Sequence, residues 1–261
     1  MNIQRLREMK GAGEKIVSLT AYDASFARVL AEAGIEVILV GDSLGMVLHG
    51  DANTLAVTME DMVYHTRLVA KAAAGSFVLA DMPFLSYSTP PEAVRNAGRL
   101  LAEGGAQMVK LEGGGWLCET VQQLTLRGIP VCAHLGLTPQ WVNKFGGFRV
   151  QGRGQEAAEQ ILGDARDLET AGAEMLVLEC VPAALASRIT QGVGMPVIGI
   201  GAGPGCDGQV QVIYDLIGVS GRAPRMARNF LRDGGSVQAA VRDYVQAVKS
   251  GAFPGPEQCY D

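Results

Sequence analysis

The sequence predicts a (β/α)8 TIM barrel, and three observations carry that prediction. The first is a recurring grammar. "FARVLAEAGIEVILVGDS", "AGRLLAEGGAQMVKLEGG" and "DARDLETAGAEMLVLECVP" each run from an amphipathic helix through a glycine into a short apolar strand. Glycine just past the last helical turn is a C-cap signal, and a near-continuous apolar run suits a strand buried on both faces. The second is the strand count. Seven candidates lie near residues 16–20, 37–41, 77–81, 107–112, 130–134, 175–179 and 196–200, with a weaker eighth near "VQVIYDLIGV". Strands alternating with helices imply a parallel sheet. The third is length, since 261 residues accommodate eight such units. An open doubly wound sheet is the competing arrangement. No linker-like stretch divides the chain, so residues 1–261 read as one domain.

Composition narrows the function classes. With 48% hydrophobic and 19% charged residues the chain is globular rather than disordered. A net charge of −5 without a Lys/Arg block argues against nucleic acid as a partner. The opening "MNIQRLREMKGAGEK" is charged throughout, unlike a secretory signal. The apolar runs fall short of the roughly 20 residues a membrane helix needs. Five scattered cysteines, with no C-x-x-C pair, read as reduced thiols. The expectation is a cytoplasmic protein acting on small molecules, with no membrane partner.

Taken in order, the strand ends carry ionisable residues. "KIVSLTAYD" opens the set. "VILVG" is followed by Asp42 and "FVLA" by Asp81, and "MVKLEGG" contains Lys110 and Glu112. "VCA" leads to His134 and "MLVL" to Glu179. In this fold reacting groups stand at the C-terminal ends of strands. Side chains alternate with period two, so Lys110 and Glu112 share one face and Val109 and Leu111 the other. A single acid at a strand end is commonly an N-cap for the next helix. Three carboxylates and a lysine at one barrel mouth are harder to explain that way. Packed acids repel and raise one another's pKa; a hard divalent cation relieves this, and an all-oxygen set of Asp42, Asp81 and Glu112 suits Mg2+. His134 reads either as an ordinary hydrogen-bonded barrel histidine or as a substrate contact or proton shuttle.

Two glycine-rich turns imitate other motifs. Gly41-Asp42-Ser43-Leu44-Gly45 matches the G-x-S-x-G nucleophile elbow. The chain has only three histidines, His49, His65 and His134, and none follows His134 to serve as an esterase base. The turn also falls too early in the strand order for an α/β-hydrolase. "IGIGAGPGCDG" lacks a third glycine in register and a Rossmann acid some 20 residues on; it reads as an anion-binding loop or a plain tight turn. "TPQWVNKFGGFRVQGRG", Thr138 to Gly154, lacks periodicity and is expected to be a long loop over the site.

The motifs together resemble the ketopantoate hydroxymethyltransferase family. The resemblance runs nearly end to end through "TAYD", "VGDSLGMVLHG", "TLAVTMEDMVYHTRLV", "LADMPF", "MVKLEGG", "HLGLTPQ", "FGGFRVQGRG", "LVLECVP", "PVIGIGAG" and "SGAFPG". It implies a barrel of the phosphoenolpyruvate/pyruvate type, Mg2+, and 5,10-methylenetetrahydrofolate as one-carbon donor to 3-methyl-2-oxobutanoate. By motif, Asp42, Asp81 and Glu112 resemble the family's metal carboxylates. Asp42, Ser43, Asp81 and Lys110 resemble its substrate contacts, and Glu179 its proton acceptor. The chain departs from the family pattern at Pro204-Gly205-Cys206. The resemblance also implies homo-oligomeric rings, commonly decamers. Three rival readings differ in chemistry: Lys110 as a Schiff-base lysine, a Mg2+-dependent carbon–carbon lyase on 2-oxo acids, and a non-catalytic metabolite-binding barrel.

Overall fold

Eight parallel strands close on themselves in chain order: β1 (Ile16–Thr20), β2 (Val37–Val40), β3 (Phe77–Asp81), β4 (Met108–Glu112), β5 (Val131–Gly136), β6 (Met175–Glu179), β7 (Val197–Ile200) and β8 (Gly208–Gln211). The last strand pairs with the first, Ile16 opposite Gly208. The computed structural model describes residues 1–221, 223–231 and 235–261. The helices are α1 (Ile3–Gly11), α2 (Ala24–Glu32), α3 (Met59–Ala70), α4 (Pro90–Ala102), α5 (Cys118–Thr125), α6 (Val142–Phe145), α7 (Gln155–Thr170), α8 (Ala183–Gly192), α9 (Ile213–Leu216) and α10 (Val237–Lys249). The closed barrel excludes the open sheet.

Strand alternation creates two apolar layers. Outward residues such as Val109, Leu111, Leu176 and Leu178 pack against the helices. Inward residues, including Val37, Phe77, Met108, Met175 and Ile198, fill the barrel. Helix α1 belongs to the inner layer: Leu6 and Met9 are fully buried against it. Lys10, in the last turn of α1, donates from Nζ to Asp207 Oδ2 (2.7 Å) and to the Thr190 carbonyl (2.9 Å). The helix thereby plugs the barrel at the N-terminal ends of the strands.

Local signals explain the helix starts. Thr58 and Asp61 form a reciprocal capping box before α3, Asp23 caps α2, and Pro90 starts α4, where its missing N–H costs nothing. The eighth strand lies earlier than its sequence candidate. "GQVQ" forms β8, whereas "IYDL" turns into α9. The apolar signal fails there because Gln209 and Gln211 are buried polar residues. Their amides donate to the carbonyls of Gly203 and Arg228. The stretch from Thr138 to Gly154 is not entirely irregular either, since a 3-10 turn (Pro139–Trp141) runs into α6. All five cysteines are free; burial in the barrel pushes the Cys132 thiol up to about 12.

Candidate active site

Sheet register decides which ionisable groups meet. Asp81 on β3 pairs with Lys110 on β4, and Glu112 on β4 pairs with His134 on β5. Gly136 on β5 pairs with Glu179 on β6. These residues end adjacent strands, so their inward side chains share the mouth opposite α1. Asp42, in the turn after β2, joins them by donating its backbone N–H to Asp81 Oδ2 at 3.1 Å.

Lys110 is the centre of the cluster. Its Nζ donates to His134 Nδ1 at 2.9 Å and stands 3.1 Å from Asp81 Oδ1 and 3.8 Å from Glu112 Oε1. Burial works against its charge, yet the carboxylates of Asp81, Glu112 and Asp42 prevail and raise its pKa. His134 moves the other way: burial, reinforced by the Lys110 charge, lowers its pKa and keeps it neutral. An ammonium can only donate, so Nδ1 of the neutral imidazole is the acceptor and Nε2 carries the proton. That Nε2 stands 3.3 Å from Glu179 Oε2 without a hydrogen bond aligned to it among the described residues.

The acids are strained electrostatically. Burial, then repulsion from Asp81 and Glu112, pushes Asp42 well above the usual carboxylate range. Burial raises Asp81 and Glu112 as well, and Lys110 offsets only part of it. Three carboxylates face one ammonium, so negative charge is left over when all are ionised. Asp81 Oδ1 is buried with no hydrogen-bond partner among the described residues.

The family model described as ketopantoate hydroxymethyltransferase matches residues 1–256. The chain belongs to that family. It is 58% identical over 255 residues to the 3-methyl-2-oxobutanoate hydroxymethyltransferase of Alkalilimnicola ehrlichii, covering 97% of this chain and 92% of that protein. The enzyme of the same name from Nitrosococcus oceani is 57% identical over 261 residues, covering 100% and 99%. The chain is accordingly a hydroxymethyltransferase. Among solved structures, phosphonopyruvate hydrolase with oxalate and Mg2+ aligns with a TM-score of 0.64 at 13% identity, covering 99% of this chain and 93% of that one. The 2,3-dimethylmalate lyase, of the PEP mutase/isocitrate lyase superfamily, aligns at 0.59 and 18% identity, covering 96% and 98%. These two share the barrel fold of the chain.

With the family in hand, each expected residue can be located. Asp42, Asp81, Lys110, Glu112 and His134 are buried together at the mouth. Glu179 is more open, its side chain 13% exposed. The three acids do not form a ready-made cage: among the described residues no group of three His, Cys, Asp or Glu is arranged to hold a metal ion. The reason is local. The Lys110 ammonium stands between Asp81 and Glu112, and an amide from Gln140 occupies Asp42. Ser43 Oγ is 2.9 Å from the Tyr22 hydroxyl rather than on a histidine, so the hydrolase reading of "GDSLG" has no base.

Three residues escaped sequence reasoning. Gln140, in "HLGLTPQ", donates from Nε2 to Asp42 Oδ2 (2.8 Å) and to the Met82 carbonyl (2.9 Å). Its backbone N–H donates to Glu112 Oε2 at 3.0 Å, and its Oε1 accepts from the Tyr87 hydroxyl. Tyr87 also borders the backbone of Glu112, and Tyr22 orients Ser43. None sits at a strand end with a charge, which was the only signal in use. Gln140 and Tyr22 do stand within the family-like stretches "HLGLTPQ" and "TAYD", whereas Tyr87 follows "LADMPF".

Proposed function

We propose that the chain transfers a one-carbon unit from 5,10-methylenetetrahydrofolate to 3-methyl-2-oxobutanoate, with water supplying the hydroxyl, to give ketopantoate and tetrahydrofolate. The observation that supports this most is the line Lys110–His134–Glu179, which couples a fixed cation to a reachable carboxylate. The surplus of buried carboxylate, with Asp81 Oδ1 facing only the Lys110 ammonium and accepting no hydrogen bond, fits a hard divalent cation. Asp42, Asp81 and Glu112 would hold Mg2+, whose chemistry when bound is to polarise the 2-oxo group and acidify the C3 hydrogen. Mg2+ commonly takes one or two carboxylates and fills its shell with water and substrate oxygens, so a preformed three-acid cage is not required.

The chain's own residues do the remainder. Ser43, steadied by Tyr22, holds the substrate carboxylate. Glu179 takes the C3 proton, and the Nε2–H of His134 keeps its carboxylate aimed. A 3.3 Å contact is long, as such bonds often are before substrate tightens them. Lys110, pinned by Asp81 and His134, faces the enolate oxygen and stabilises its charge. The enolate carbon bonds to the folate-borne methylene as one of its two bonds to folate nitrogen breaks; water then displaces the second nitrogen, which leaves as tetrahydrofolate and gives the hydroxymethyl group its oxygen. Homodecameric assembly and a cytoplasmic setting belong to the same reading; among the described residues no helix is long and apolar enough to cross a membrane.

The base assignment has a direct test. With Mg2+ but without folate, the wild type exchanges the C3 hydrogen of 3-methyl-2-oxobutanoate with D2O, and Glu179→Gln does not. Undiminished exchange in the variant removes Glu179 from the role. Folate-dependent turnover separates transferase from lyase. Activity that survives exhaustive chelation and is trapped by borohydride returns Lys110 to Schiff-base chemistry.

A further inference from the structure

A row of aromatic rings leads from the acid pocket to the surface, and the mechanism above leaves it unused. Tyr87, buried, stacks on Trp116 with centroids 6.5 Å apart and planes 16° from parallel. Trp116 meets Trp141 at 6.1 Å, and Trp141 stacks on Phe145 at 6.4 Å. At the outer end Lys144 places its ammonium 4.4 Å from the Trp141 ring centroid. Phe84, Leu85, Tyr87, Trp116, Gln140 and Trp141 line a cavity of about 100 Å³ along this row.

We infer that this row is the platform on which the flat heteroaromatic ring of the folate donor stacks, with Lys144 receiving its anionic tail. The inference rests on the transferase reading and names the residues that hold its second substrate. Four observations support it. Tyr87 and Gln140 are walls of the cavity and also hydrogen-bond around Asp42 and Glu112, so a ring seated there lies next to the oxo-acid pocket. The methylene must arrive at the C3 carbon, so the donor has to occupy a neighbouring space. Trp116 is 53% exposed and Leu85 60%, costly for large apolar groups unless a ligand covers them. Leu85 also holds a left-handed φ of +61°, unfavourable for leucine and of the kind retained at binding sites.

The indole is held for the purpose. A Cβ at Gly113 would stand 2.7 Å from the Trp116 ring, so glycine there lets the indole lie against the end of β4. Aromatic faces attract both flat π-systems and the cation beyond them. Lys144 supplies a positive end for a ligand with carboxylates at one end only.

The chain has two tryptophans, and both are in the platform, so tryptophan fluorescence, excited selectively over the six tyrosines, reports on it. Tetrahydrofolate is expected to quench that fluorescence in the wild type. Trp116→Ala is expected to raise the KM for 5,10-methylenetetrahydrofolate about tenfold, the size of one good stacking contact, and Trp116→Phe to recover most of it. Lys144→Ala is expected to weaken folate more than a pteridine lacking the glutamate tail. The exposed Tyr64, on α3 and away from the platform, is the control: Tyr64→Ala should leave the folate KM unchanged. A folate KM within twofold of wild type in Trp116→Ala overturns the platform. A shift in sedimentation of that variant with unchanged KM also overturns it, and identifies the patch as a contact between copies. Absence of folate turnover in the wild type is a different failure, that of the transferase reading itself.

Discussion

Gln140 Nε2 donates to Asp42 Oδ2 at 2.8 Å, joining the loop after β5 to the turn after β2 across 98 residues of chain. The same amide nitrogen reaches the Met82 carbonyl, and its backbone N–H reaches Glu112. One uncharged residue thus touches two of the three carboxylates. Replacing it by leucine, similar in size, leaves Asp42 without its amide in a buried setting. Outer-sphere changes of this kind typically cost about 10–100-fold in metal affinity or activity. We expect Gln140→Leu to weaken Mg2+ by that range, measured by metal titration of exchange activity. Unchanged Mg2+ dependence would show that the amide does not orient Asp42.

Lys110 is held by charge on several sides, and its removal tests the role proposed for it. Lys110→Met takes away the cation facing the enolate, and kcat should fall about 100-fold or more, the scale of one lost electrostatic donor. Arginine should not restore it, because the planar fork does not fit a point-charge position. A Lys110→Arg variant with wild-type kcat would contradict this.

The plug helix contributes to stability rather than chemistry. Leu6 is fully buried where α1 closes the barrel. Leu6→Ala should lower the free energy of unfolding by about 2–5 kcal/mol, the usual range for such truncations, read from urea denaturation. A loss below about 1 kcal/mol would mean that α1 docks without being part of the cooperative unit.

Asp215, on α9, gives a pH-dependent prediction about stability. Burial raises its pKa, and a hydrogen bond from Ser220 only partly opposes this. The folded state therefore binds its proton more tightly than the unfolded state does. Between the ordinary carboxylate pKa and the raised folded value, the destabilising contribution of Asp215 grows as pH rises, and above that it is constant. Asp215→Asn should stabilise the chain at neutral pH and flatten that part of the stability profile. Denaturant midpoints at pH 4 and pH 7 check it; a variant less stable than wild type at pH 7 would reverse the sign.

Fold and site were legible to different degrees. The helix–glycine–strand grammar located seven strands within a residue or two, because hydrophobic runs and C-cap glycines are local signals. β8 was displaced because Gln209 and Gln211 carry its outward face, and a buried amide satisfied by a carbonyl is invisible to hydrophobic periodicity. Charge at strand ends found Asp42, Asp81, Lys110, Glu112, His134 and Glu179. It could not find Gln140 or Tyr87, which carry no charge and lie in loops; their importance comes from partners far along the chain. It placed Lys110 with the carboxylates, but not the Gln140 amide on Asp42, which is a matter of side-chain placement rather than of residue type.

The plug has a kinetic consequence. With α1 sealing one end of the barrel and Lys10 latched to Asp207, both substrates and both products share a single doorway. On the proposed function the oxo acid lies deep, and the donor, on the proposed platform, lies above it. The first to enter is then the last able to leave, so the order of binding is written into the barrel as a queue.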